Sequence, residues 1–344
     1  MTSAMSLIAM IDSPEQVLEL MGGYAPTPLG VAPSLAKRAG VAQVMLKDES
    51  KRPLGSFKSL GGLFAALRLL ARSQSPSAAG LGLVCASDGN HGLSVSAAAR
   101  IAGVPAHIYL PRSVSPVRAA RIEAHGGTVC WIDGSYDDAV AAALAVAKRG
   151  ESLLVADTTD DEGDPVVDDV MRGYELIGRE VLSQLDDKHL APPTHVFIQA
   201  GVGGLAAALA RTLHQHLASP GRLVVVEPEA ASCVAQALEA GKAFLIEDEA
   251  YTRAEMLSCG KASTPALQIL MAHAATGITV SEAELREAVA ILENHGGPRS
   301  TASGAASLAG LLKAAQDPGL RARLQLTETS RVLGIVTEGP PGPP

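Results

Sequence analysis

Short apolar runs alternate with longer amphipathic stretches almost from end to end of this chain. The runs predict strands at Gln43–Lys47, Leu81–Ala86, Ala106–Leu110, Thr128–Ile132, Leu153–Ala156, His195–Gln199, Leu223–Glu227 and Val332–Val336. Between them, helical periodicity with alanine and leucine on one face and arginine at the ends predicts helices such as Ser59–Ala71, His91–Ala102 and Gly204–Leu217. Strand and helix taking turns in this way is the pattern of βαβ units, so the expected class is α/β with parallel sheets. A length of 344 residues suggests about two domains. No internal repeat interrupts the pattern, and the only low-complexity segment is Gly339–Pro344, which can join neither helix nor sheet and reads as a loose terminus. The acidic, turn-rich run Asp157–Asp169 is either a solvated linker or a loop that closes over substrate.

Composition narrows the partners. The chain is 47% hydrophobic and 19% charged, which suits an ordinary soluble globular protein. A net charge of −8 with no Lys/Arg-rich run argues against nucleic acid, and 3% aromatics argue against a base-stacking or sugar-binding strip. A small-molecule partner is expected. Cys85, Cys130, Cys233 and Cys259 are far apart and form no Cys-x-x-Cys, so they read as buried thiols rather than metal ligands or disulfides, and no metal is expected. Met1–Met10 lacks a basic segment and a small-residue cleavage site, and no run approaches a membrane span, so the expected location is the cytoplasm.

Candidate chemistry centres on Lys47–Gly62, which contains Lys58. Burial beside Leu54, Phe57 and Leu60 would disfavour the ammonium and make the amine a nucleophile able to form a Schiff base. A surface lysine on a helix capped by Ser56 fits the same residues. Ser87-Asp88-Gly89-Asn90-His91-Gly92 follows a predicted strand and opens a helix, which suits an anion such as a carboxylate, or else is a capped helix start. Gly201-Val202-Gly203-Gly204-Leu205 also follows a strand and opens a helix, where glycines let the backbone approach a phosphate. Its spacing is not that of a dinucleotide loop. Ser303 lies outside any Gly-x-Ser-x-Gly elbow and reads as helix packing.

Ser-Phe-Lys, preceded by Lys-Asp-Glu-Ser and followed by Gly-Gly, resembles the lysine motif of the fold-type II pyridoxal-phosphate enzymes, and within them most resembles diaminopropionate ammonia-lyase. The resemblance spans roughly Tyr24 to Gly339, with its motifs in the family's order. It implies two open-sheet α/β domains, a discontinuous large one (1–59 and 165–344) and a small mobile one (60–164), with the site in the cleft and a homodimeric assembly. It implies pyridoxal 5'-phosphate on Lys58, beside Phe57, with Asn90 facing the 3′ oxygen and Gly201, Val202, Gly203, Gly204 and Leu205 cupping the phosphate. Thr337 would face the pyridine nitrogen and leave it unprotonated; elimination tolerates that weaker electron sink because the leaving group carries electrons away. Ser87, Asp88 and His91 would contact substrate, with Asp157 the base for the L-isomer and Asp88 for the D-isomer.

Met171-Arg172-Gly173-Tyr174-Glu175 also resembles the family, as does Cys259-Gly260 before Ser263–Pro265. The loop Asp160–Asp164 and the residues Glu255–Ser258 depart from it. The implied reaction is α,β-elimination of 2,3-diaminopropionate, or a close β-substituted amino acid, to pyruvate and ammonia. The alternatives are a serine, threonine or 3-hydroxyaspartate dehydratase of the same fold, or a non-catalytic binding protein.

Overall fold

The computed structural model describes residue 8 and residues 10–73, 81–87, 89–246 and 252–342. Asp88 therefore lies outside the described residues, as do the last two prolines of the tail and most of Met1–Met10. Ten strands are described, and every expected strand is among them: β1 Leu29–Val31, β2 Gln43–Asp48, β3 Gly82–Ala86, β4 Ala106–Pro111, β5 Gly127–Ile132, β6 Ser152–Leu154, β7 His195–Gln199, β8 Arg222–Pro228, β9 Thr276–Val280 and β10 Arg331–Val336. The fold is α/β, as the pattern predicted. Helix Gly204–Leu213 stops short of Leu217 and passes into a 3₁₀ turn at His214–His216.

The chain divides into two compact units. The first comprises Ser56–Leu176 with the described parts of Met1–Ala25 and Pro341–Pro344; the N-terminal stretch joins it because helix Pro14–Leu20 packs on helix Lys58–Arg72. Its sheet has the order β5-β4-β3-β6, all parallel. β3 is buried at every position, as a parallel strand covered on both faces must be. Leu63, Phe64, Leu67, Leu83, Val84, Val95, Ile108 and Ile122 are fully buried around it.

The second unit comprises Pro26–Gly55 and Ile177–Pro340. Its sheet has the order β1-β2-β10-β7-β8-β9, parallel except for the antiparallel edge strand β1. The two edge strands were not expected: β1 is three residues long, and β9 carries Gly277, which weakens a strand signal. That glycine is needed, since a Cβ there would come within 2.6 Å of the Ala235 Cβ in helix Cys233–Ala240. Phe197, Val224, Val226, Leu285, Leu308, Leu312 and Val332 belong to the core beneath the sheet.

In each sheet the strand order reverses direction once, between β3 and β6 in the first and between β10 and β7 in the second. Ligands of open α/β sheets bind beyond the carboxyl ends of strands at such points, where adjacent loops diverge.

The second unit also buries four charges. Lys47, Glu49, Arg52 and Glu180 have side chains at most 1% exposed. Arg52 donates to both oxygens of Glu49 and both of Glu180 at 2.8–2.9 Å. Lys47 spends its three hydrogens on Glu180, the Thr27 carbonyl and the Gln184 carbonyl oxygen. Two cations balance two carboxylates with every nitrogen of Lys47 and Arg52 hydrogen-bonded, which makes their burial tolerable. Replacing Glu180 with alanine strands Lys47 and half of Arg52, and is expected to cost about 3–5 kcal/mol of stability in chemical denaturation. A loss under about 1 kcal/mol would show that water or a rearranged pair takes over.

Candidate active site

In the first unit, Lys58 is the first residue of its helix and its Nζ lies 2.5 Å from Asp157 Oδ2. Asp157 lies just beyond β6, and its Oδ1 accepts the Tyr136 hydroxyl at 2.9 Å. Tyr136 opens a helix fixed by a capping box between Ser135 and Asp138, so its ring is held at the helix start. Burial alone would raise the Asp157 carboxyl. The Lys58 ammonium and the hydrogen bonds from Lys58 and Tyr136 outweigh burial and hold it well below the usual carboxylate range. Lys58 was expected among apolar neighbours that disfavour its charge; instead its side chain is 19% exposed and paired with a carboxylate that favours the ammonium.

Glycines bring Tyr174 to this pair. A Cβ on Gly61 would lie 2.5 Å from the Tyr174 ring and 2.6 Å from the Val170 carbonyl, and one on Gly173 would lie 2.6 Å from the Leu60 carbonyl. Gly61 and the Gly-Tyr at 173–174 are thus the contact between two helices, while Gly62 makes the close approach to Ser94 in helix Asn90–Ala102. Tyr174 packs its ring on Phe57, with centroids 4.9 Å apart, and the Lys58 amine sits 5.6 Å from the Phe57 ring centre. Burial pushes the Tyr174 phenol up to about 12, so it stays protonated.

The turn after β3 satisfies itself. Ser87 Oγ accepts the amides of Gly89 and Gly92, both at 2.8 Å, so these two N–H groups are spent and the Ser87 hydroxyl hydrogen is left to donate. Gly89 has φ of 136°, and a Cβ there would meet Arg118 at 2.9 Å. Asn90 starts helix Asn90–Ala102 and is buried. His91 Nε2 lies 2.8 Å from the Val155 carbonyl, which only accepts, so Nε2 carries the hydrogen. Burial lowers the His91 pKa, and the ring is neutral with a bare Nδ1. The acidic run 157–169 is not uniformly solvated: Asp164 caps helix Pro165–Asp187 through Val166 and Val167, and Asp169 is buried among Arg68, Arg72 and Arg172.

In the second unit, the glycine loop joins β7 to helix Gly204–Leu213. Gly203 is its cap at φ 98°, and a Cβ on Gly201 would come 3.0 Å from Cys259 Sγ. The Cys233 thiol donates to the Gly201 carbonyl at 3.3 Å, and the Ser263 amide to the Val202 carbonyl at 2.9 Å. These contacts use loop carbonyls, while first-turn amides have no intrahelical acceptor, which leaves an anion cradle. Thr337 lies immediately beyond β10, the strand next to β7, and its Oγ1 accepts from Gln199 Nε2. Cys85, Cys233 and Cys259 are buried free thiols, with Cys130 half-buried.

Among the described residues, the buried polar atoms without a hydrogen-bond partner include five in these two groups: Ser56 Oγ, His91 Nδ1 and Tyr174 Oη in the first unit, and Gln199 Oε1 and Ser263 Oγ in the second. An unmade buried hydrogen bond is costly, and each of these asks for a ligand or water. An amine with a carboxylate partner suits an aldehyde, the cradle suits a phosphate, and a hydroxyl at Thr337 suits a ring nitrogen. The residues therefore fit pyridoxal phosphate. Tyr136 and Gln199 were not singled out in the sequence, since single polar residues in helices and strands carry no local signature, while Tyr174 and Ser263 stood in segments that resemble the family but had no role assigned to them.

The sequence profile of the family described as "Pyridoxal-phosphate dependent enzyme" matches residues 20–338. The diaminopropionate ammonia-lyase of Salmonella typhimurium is 30% identical over 93% of this chain and 86% of its own length. That of Escherichia coli K12 is 32% identical over 94% and 87%. The crystal structure of the Escherichia coli enzyme in complex with an aminoacrylate–pyridoxal-phosphate azomethine intermediate superposes with a TM-score of 0.83 at 30% identity, covering 98% of this chain and 89% of that one.

The Asp157 carboxyl is lower when folded than its unfolded value of about 3.9. Its contribution to stability is therefore complete above that value and is lost as pH falls through the folded-state value. The stability gap between the cofactor-free protein and Asp157→Asn, read from urea midpoints, is expected to be widest near neutrality and to shrink on acidification. A gap that does not change with pH would show that the ion pair is not what Asp157 contributes.

Proposed function

The chain belongs to the pyridoxal-phosphate-dependent enzymes and, within them, to the diaminopropionate ammonia-lyase family, and from that premise we propose that it converts 2,3-diaminopropionate, or a close β-substituted amino acid, to pyruvate and ammonia by α,β-elimination. The observation that carries this reading is the Lys58–Asp157 pair, an amine for the cofactor's aldehyde beside a carboxylate able to move a proton. Lys58, Phe57, Asn90, the Gly201–Leu205 backbone and Thr337 would hold the cofactor, which supplies the electron sink for the α carbon when bound.

Asp157 is the base for the L-isomer in this proposal, and Tyr136 makes it directional. By donating to Oδ1, the phenol leaves Oδ2 as the oxygen that takes a proton. In the free protein the Lys58 ammonium makes this carboxylate a weak base. Burial is nonetheless the largest influence on it and acts upwards, so whenever Lys58 gives up its charge, Asp157 becomes a stronger base. The neutral His91 and the Ser87 hydroxyl stand beyond β3 to orient substrate, and Asp88, next to Ser87 in sequence, is assigned the α proton of the D-isomer by its resemblance to the family's aspartate. The β nitrogen leaves as ammonia, and water releases the second ammonia with pyruvate. The same reading makes the chain a cytoplasmic homodimer acting on a free amino acid. Among the described residues, no helix is long and apolar enough to cross a membrane.

Incubating the cofactor-loaded protein with L- and D-2,3-diaminopropionate is expected to give one pyruvate and two ammonia per molecule consumed. Asp157→Asn should lower kcat/KM for the L-isomer by about 10²–10⁴-fold and spare the D-isomer more, with Asp88→Asn showing the reverse. Turnover of serine or threonine alone would replace this reading with a hydroxyl-eliminating dehydratase.

A further inference from the structure

The switch point between β7 and β10 holds a hydrogen-bond pattern with a fixed direction. Gln199, the last residue of β7, is 2% exposed, and its Nε2 lies 3.0 Å from the Ser303 carbonyl, from the Gly304 carbonyl and from Thr337 Oγ1. The two carbonyl oxygens only accept, so they settle which end of the carboxamide faces them: the NH₂ group points in and Oε1 points away. Thr337 Oγ1 therefore faces an amide nitrogen without a lone pair: it shares that group's two hydrogens with the two carbonyls and cannot donate to it. Its own hydrogen is left over. Thr337 is 3% exposed, and among the described residues its hydroxyl has Gln199 Nε2 as its hydrogen-bond partner, which leaves that hydrogen unused.

We propose that Gln199 is a positioning residue that turns Thr337 into a one-way donor, whose unspent hydrogen goes to the unprotonated ring nitrogen of bound pyridoxal phosphate. A pyridinium N–H would instead compete for the remaining lone pair of Oγ1 and leave the threonine hydrogen without an acceptor. The carbonyls of Ser303 and Gly304 thus act on the cofactor at second hand, through Gln199. Glutamate at 199 would face those two carbonyls with acceptors, and serine at 337 would keep the donor while valine would remove it. The inference rests on the cofactor reading given above and adds to it what decides the ring's protonation.

The test compares binding of pyridoxal phosphate with that of its 1-deaza analogue, in which a ring C–H replaces the nitrogen, by titration of the cofactor-free protein. The native protein and Thr337→Ser are expected to prefer pyridoxal phosphate by about tenfold, the worth of one hydrogen bond. Thr337→Val and Gln199→Met should bring the ratio toward one. With ¹⁵N in the cofactor ring, the native complex should give the chemical shift of an unprotonated pyridine at neutral pH. A pyridinium shift overturns the proposal whether or not Gln199→Met folds by circular dichroism, and so does an undiminished ratio in folded Gln199→Met. Failure of the native protein to bind pyridoxal phosphate at all would instead overturn the cofactor reading.

Discussion

An ammonium and a carboxylate 2.5 Å apart, on residues 99 positions apart in the chain, fix the reactive centre of the first unit. Much of the surrounding construction serves that one distance. β3 and β6 must be parallel neighbours for the turn at Ser87 and the residue Asp157 to emerge at the same end of a sheet. Helix Lys58–Arg72 must begin at Lys58, and it can lie close to helix Pro165–Asp187 only because Gly61 and Gly173 have no side chains. Tyr136 holds one oxygen of Asp157 and leaves the other for chemistry. The ion pair also stores a change of basicity, because it opposes a burial effect that takes over once the ammonium charge is gone.

The second unit solves a different problem, that of presenting polar groups from a dry interior. Its four buried charges pair among themselves with every nitrogen of Lys47 and Arg52 hydrogen-bonded, and Lys47 also ties down the Thr27 carbonyl. At the opposite extreme, Thr337 and Gln199 leave one hydrogen and one oxygen unspent at the ends of adjacent parallel strands. Satisfied polar groups make structure and unsatisfied ones mark where a ligand is missing. The contrast between the two sets, in one unit, separates framework from site.

The fold was legible because parallel strands covered on both faces are continuous apolar runs, and β3, β7, β8 and β10 stand out as such. β1 and β9 were not legible: one is too short and the other is broken by Gly277. The glycine loops, Lys58 and Thr337 could be read because each belongs to a local motif. Tyr136 and Gln199 could not, since their significance comes from partners brought near by the fold, and nothing beside them in sequence announces it; Tyr174 stood in a family-like segment, but its packing on Phe57 did not show there. The expected apolar pocket for Lys58 failed for the same reason: Asp157 is a spatial neighbour that no window around Lys58 contains.

The account depends most directly on where the cofactor is held. The cofactor-loaded protein can be reduced with borohydride, digested, and searched by mass spectrometry for the lysine that carries the pyridoxyl group. The account predicts Lys58 as the labelled residue, with labelling abolished in Lys58→Ala. A stable label on another lysine, or none on the native protein, would contradict it.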